Sequence, residues 1–136
     1  MADDNVVSMG TAVVECARIG QLIQRHEERF LRRVFTDKEI RYCSSRRASM
    51  QQYAARWAVK QAAFQALGVA AHRGVRWTEI EVPDGRGPNI VELTGTLGRL
   101  MQRKKISCLL ASWGFCRSYA VGFVLAFSSE PQPRSQ

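Results

Sequence analysis

The stretch SMQQYAARWAVKQAAFQALG, residues 49–68, decides the architecture. Met50, Tyr53, Ala54, Trp57, Gln61 and Phe64 recur at helical intervals, and Gly68 stands where a left-handed residue would end the helix. Nineteen residues without a proline or an internal glycine predict one long helix, with Gln61 and Gln65 on or beside its apolar stripe and Lys60 on the flank. Tyr53, Trp57 and Phe64 read as core residues, and Tyr42 and Cys43 as packing residues upstream.

Working outward, Val6–Val14 is β-rich and feeds a stretch with helical periodicity at Ile19, Leu22, Ile23, Phe30 and Leu31. Arg18, Arg25, Arg29 and Arg32, at spacings of 7, 4 and 3, fall along one exposed side of that predicted helix. Thr36-Asp37-Lys38-Glu39 is a capping box, so a short helix runs from Asp37 towards Cys43.

Beyond Gly68, Val75–Val82 alternates as a strand and Ile90–Leu93 as its partner, joined by the turn-forming Pro83–Pro88. A helix over Gly95–Arg103 and strands near Ile106–Ser112 and Tyr119–Phe127 complete the chain. The order, with hairpin-linked strands between helices, predicts an α+β domain with antiparallel pairs over residues 6–127. The polar segment 128–136 reads as an unstructured tail.

The chain has 136 residues, enough for one core, since a domain of this size buries roughly 68% of its unfolded surface. Apolar residues at 46% and charged residues at 24% exclude disordered and collagen-like classes. No apolar run reaches the ~18 to 20 residues of a membrane span, and the acidic start is unlike a secretory signal. Cys16, Cys43, Cys108 and Cys116 form no CxxC pair and no zinc-like spacing with His26 or His72. Reduced thiols and a cytoplasmic location are expected, and no metal site is expected from these residues.

A net charge of +8 favours acidic partners. Arg46-Arg47 and Arg103-Lys104-Lys105 raise a nucleic-acid reading, but no groove-reading or base-stacking motif accompanies them, which argues against it.

Several segments together carry a resemblance: Gly10–Glu15, Arg18-Ile19, Glu28–Ile40 with Tyr42-Cys43, Ala55–Ala62, Ala66–Gly68, and Trp77 with Ile80-Glu81-Val82. In order and spacing they resemble the holo-acyl-carrier-protein synthases. The resemblance implies a 4′-phosphopantetheinyl-transferase-like α+β fold, a homotrimer with active sites between subunits, an acidic acyl carrier protein as partner, and magnesium-assisted attack by a carrier Ser on the pyrophosphate of coenzyme A.

Phosphoryl transfer of this kind needs a metal held by carboxylates, cations on the pyrophosphate and a group that handles the Ser proton. Where the family carries the Asp of Gly-x-Asp, this chain has Ala12. The Glu of Trp-Ala-x-Lys-Glu is Gln61, and the Lys four residues later is Gln65. The Ser-His that ends Ser-x-Ser-His is Gly114-Phe115. A methyl group cannot ligate a hard cation and an amide oxygen does so weakly, so the family's magnesium site is expected to be lost. Phe115 is expected to fill the volume of the His. Glu15 offers a poor rescue, because three residues along a strand put it on the opposite side from Ala12.

The recognition residues persist. By resemblance, Arg56 and Lys60 meet coenzyme A phosphates, Gly85-Arg86-Gly87-Pro88 is the hairpin at its nucleotide end, and Arg18 and Arg25 face the carrier protein. The expected function is that of a family member with catalysis lost or impaired and with carrier-protein and coenzyme A binding retained. The alternative is a working transferase with Lys60 as proton handler.

Overall fold

The computed structural model describes residues 5–70 and 74–129. An eleven-residue strand β1 (Asn5–Glu15) is followed by helices α1 (Cys16–His26), α2 (Glu28–Val34), α3 (Asp37–Ser44) and α4 (Ser49–Leu67). A 3₁₀ turn (Trp77–Glu79), the short strands β2 (Ile80–Glu81) and β3 (Glu92–Leu93), helix α5 (Gly95–Arg103) and the hairpin β4 (Cys108–Phe115) and β5 (Tyr119–Ser128) complete it. The strands form an antiparallel sheet in the order β1-β5-β4 and a separate β2-β3 pair. The α+β expectation holds.

Helix α4 organises the molecule. Its buried residues lie all around the axis, as in a helix enclosed by its neighbours. It crosses the sheet where side chains are missing: a Cβ at Gly10 would collide with the Ala62 carbonyl, and one at Gly122 with the backbone of Ala58 and Val59. Gly68, with φ 71°, ends the helix, and its N–H donates to the Gln65 carbonyl at 3.0 Å.

Two apolar clusters flank α4. One joins it to β2, α5 and the sheet through Val59, Leu67, Ile80, Leu97, Leu109 and Val124. The other joins it to α1–α3 through Ile19, Phe30, Phe35, Cys43 and Tyr53. Tyr53 and Phe64 are buried and Trp57 half-buried, as core residues should be.

Three expectations change. The helix expected through Ile19 and Leu31 is broken at Glu27, whose φ of 50° turns the chain, so that α2 sends Phe30 and Val34 into the cluster that α1 reaches with Cys16 and Ile19. Arg18 and Arg25 therefore ride on α1, and Arg29 and Arg32 on α2, rather than on one continuous face.

The strand expected over residues 75–82 is mostly a turn, because the Glu79 carboxylate accepts from Arg76 N at 3.0 Å and from Leu97 N at 2.9 Å, curling the segment and capping α5 from outside. Only Ile80-Glu81 pairs, with Glu92-Leu93.

The expectation of an unstructured tail from Ser128 onward fails at Ser128 itself. Ser128 is buried in β5 opposite Asn5, with its hydroxyl donating to the Lys105 carbonyl at 2.8 Å. Residues 130–136 lie outside the described residues. Among the described residues no helix is long and apolar enough to cross a membrane.

Candidate functional site

The β1-β5-β4 register lays Ala12 and Phe115, two positions matched by resemblance to the family's site, out in rows on the side of the sheet that faces α4. Ala12 pairs with Gly122, which pairs with Trp113, and one step along, Val14 pairs with Ala120, which pairs with Phe115. Strand alternation puts Ala12 on this inner side, whereas Glu15 is exposed on the other, so its carboxylate is turned away from Ala12.

Gln61 lies on the α4 segment between Ala58, which meets Gly122, and Ala62, which meets Gly10. The structure thus gathers Ala12 and Gln61 beside the same helix crossing. Gln65 has a structural contact: its side-chain oxygen accepts from Thr11 N at 3.1 Å and ties the edge strand β1 to α4. A methyl group and an amide at the crossing do not suit a magnesium ion, which asks for carboxylate or phosphate oxygens in near-octahedral geometry. Among the described residues no cluster of three or more His, Cys, Asp or Glu is placed to hold a metal.

Lys60 departs furthest from its expected role. Its side chain has no solvent exposure, and its ammonium donates to Glu39 Oε1 at 2.8 Å, the Val34 carbonyl at 2.7 Å and the Trp77 carbonyl at 3.1 Å. All three hydrogens of the ammonium are thereby engaged. Neither a phosphate contact nor a shuttled Ser proton fits a group held so, and the role assigned to it as phosphate ligand or proton handler is replaced by a structural one.

Glu39 is the other half of the node. It accepts from Thr36 N at 2.8 Å as the capping box requires, and from Val82 N at 2.7 Å. One buried pair therefore joins the end of α2, the start of α3, α4 and the segment entering the 83–88 loop. Burial lowers the Lys60 pKa below its ordinary value, with Glu39 opposing the shift. The same surroundings push the Cys43 thiol up to about 12, chiefly by burial.

Arg56 is also withdrawn, with 1% of its surface exposed. Its guanidinium donates to Gln52 Oε1 and, at 3.4 Å, to the Asp84 carbonyl, and sits 4.9 Å from the Tyr42 ring centroid and 5.0 Å from that of Trp113. Through Asp84 it touches the hairpin loop, whose Gly85, Arg86, Gly87 and Pro88 are exposed. The loop holds its own turn, since Arg86 N donates to Asp84 Oδ1 at 2.9 Å.

Phe115 does not seal the pocket. It is 42% exposed, at a mouth shared with Arg47, Gln51, Cys116 and Arg117. The ring that is drawn inward is Trp113, partly buried two residues earlier on β4, which packs on both apolar clusters. Sequence reading passed over Trp113 because only the strand register shows that it shares a row with Ala12.

Arg18 and Arg25 are exposed on α1. Close by in sequence, Arg29, Arg32 and Arg33 line a cleft with Arg76 and Trp77, an arginine contribution from residue 76 that linear spacing could not reveal.

The 4′-phosphopantetheinyl transferase superfamily model matches residues 8–124. A holo-[acyl-carrier-protein] synthase of Rhodopirellula baltica is 43% identical over 122 residues, covering 88% of this chain and 96% of that protein. The holo-[acyl-carrier-protein] synthase structure from Neisseria meningitidis superposes with a TM-score of 0.79 at 23% identity, over 90% of this chain and 98% of that one. The one from Helicobacter pylori, in complex with coenzyme A, gives 0.75 at 24% identity, over 87% of this chain and 98% of that one. With matches of this extent in both sequence and fold, the chain belongs to the holo-acyl-carrier-protein synthase family of the 4′-phosphopantetheinyl transferase superfamily.

Proposed function

We propose that this chain is a family member in which magnesium-dependent phosphopantetheine transfer is lost or severely weakened, while docking of an acidic acyl carrier protein on α1 and binding of coenzyme A beside the 83–88 loop are retained. The observation that carries the reading is the pair Ala12 and Gln61 at the crossing of β1 and α4, where the resemblance expects two carboxylates. The engagement of Lys60 with Glu39 supports it, because it leaves no obvious substitute for the proton-handling groups.

Docking is supported by the exposure of Arg18 and Arg25 and by the arginine-lined cleft along α2. Assembly as a trimer is supported by the outer side of the sheet, where Met9, Val13, Leu110, Tyr119 and Val121 expose apolar surface. Coenzyme A binding has partial support: the 83–88 loop is open, whereas Arg56 is enclosed by the chain's own side chains.

The direct test incubates the protein with coenzyme A, magnesium and an apo carrier protein and weighs the carrier by mass spectrometry. No mass gain is expected. Rapid stoichiometric addition of phosphopantetheine would establish the competing reading, an active transferase with a non-standard site, which the synthase names of the relatives favour. Carrier binding, followed by calorimetry, should collapse in Arg18→Glu/Arg25→Glu.

A further inference from the structure

A buried guanidinium normally has a carboxylate or phosphate to answer its charge. Among the described residues Arg56 has neither: the ion pairs found there belong to Arg32 and Lys60. Its charge is met by the Gln52 amide oxygen, the Asp84 carbonyl and the faces of two aromatic rings. Tyr42 is shared with a second guanidinium, that of Arg46 at 4.4 Å, whose buried Nε finds no hydrogen-bond partner. Two cations thus converge on rings rather than on anions.

Trp113 is the ring that also reaches the hairpin loop. Its Cζ2 is 3.4 Å from where a Cβ of Gly85 would stand, so the indole spans from the Arg56 guanidinium to the loop. Its place in the sheet row next to Gly122 leaves no neighbouring side chain on that side to displace it.

We infer that Trp113 is an internal plug that holds Arg56 and the 83–88 loop in place of a phosphorylated ligand, and that it sets the affinity of this chain for coenzyme A. The inference deepens the coenzyme A part of the proposed function and rests on it. A phosphate binds a guanidinium through charge-assisted, bidentate hydrogen bonds, which a ring face cannot match. The ligand therefore competes with the indole, and the cost of moving the indole lowers the apparent affinity by the fraction of molecules already open.

The test titrates coenzyme A by calorimetry into the unaltered protein, Trp113→Leu and Trp113→Phe, without magnesium. Affinity should rise about tenfold or more in Trp113→Leu and by less in Trp113→Phe, which keeps a smaller ring. Equal affinity in all three overturns the plug while leaving coenzyme A binding intact. No binding in any of them overturns it too, and carrier-protein docking is then judged separately through Arg18→Glu/Arg25→Glu. Should Trp113→Leu fail to fold, the unaltered protein labelled with 5-fluorotryptophan still decides the question. Its Trp113 fluorine resonance, assigned with Trp113→Phe, must move at saturating coenzyme A, and an unmoved resonance rejects the plug.

Discussion

Lys60 Nζ lies 2.8 Å from Glu39 Oε1, with both side chains withdrawn from solvent. Breaking such a pair leaves a buried charge unanswered. Lys60→Met or Glu39→Gln should each lower unfolding free energy by about 3–5 kcal/mol, and the double variant by less than the sum, as measured by urea unfolding.

The pH dependence of this node has a definite sign. Burial lowers the Lys60 pKa in the folded state below the unfolded value of 10.5, so in the window just below pH 10.5 the unfolded chain binds more protons. The contribution of Lys60 to stability should rise with pH across that window. Melting temperatures followed there should show this increment in the unaltered protein and lose it in Lys60→Met.

Gly122→Ala should destabilise the protein by about 1–3 kcal/mol or more, because the added methyl meets the α4 backbone, which cannot rotate away. Gly114→Ala has open space and should be nearly neutral in thermal unfolding. Equal effects of the two would contradict the close crossing of α4 over Gly122.

Restoring the carboxylates tests the metal argument. Ala12→Asp with Gln61→Glu should make coenzyme A binding depend on magnesium, seen as a calorimetric difference with and without the ion, whereas the unaltered protein should show none. Adding Phe115→His should then restore measurable transfer to a carrier protein.

The cysteines should separate by reactivity. Hydrogen bonds from backbone N–H groups in the Cys116–Tyr119 turn lower the pKa of the exposed Cys116 thiol below its ordinary 9.0, while burial pushes that of Cys43 up to about 12. Thiolate is the reacting species, so iodoacetamide at neutral pH should label Cys116 first and leave Cys43 untouched until unfolding, as read by peptide mass spectrometry.

Much of the fold could be read locally. Thr36-Asp37-Lys38-Glu39 carries its own hydrogen-bonding pattern, and the uninterrupted periodicity to Gly68 marks both the course and the end of α4. The bend at Glu27 has no glycine or proline to announce it, and the curl at Trp77–Glu79 depends on a carboxylate that bonds to a helix eighteen residues away. Signals of that kind are long-range and leave no periodicity.

The amino-acid order alone determined which groups stand at the positions matched to the family's site, because Ala12, Gln61 and Phe115 are what they are in any conformation: methyl, amide and phenyl groups cannot serve as carboxylate ligands or as an imidazole. Tertiary structure alone decided what the retained cations do. Lys60 and Arg56 are four residues apart on one helix, yet one is answered by a buried carboxylate from α3 and the other by rings from α3 and β4. A cation's role depends on which groups surround it after folding, and those partners are brought in from distant parts of the chain.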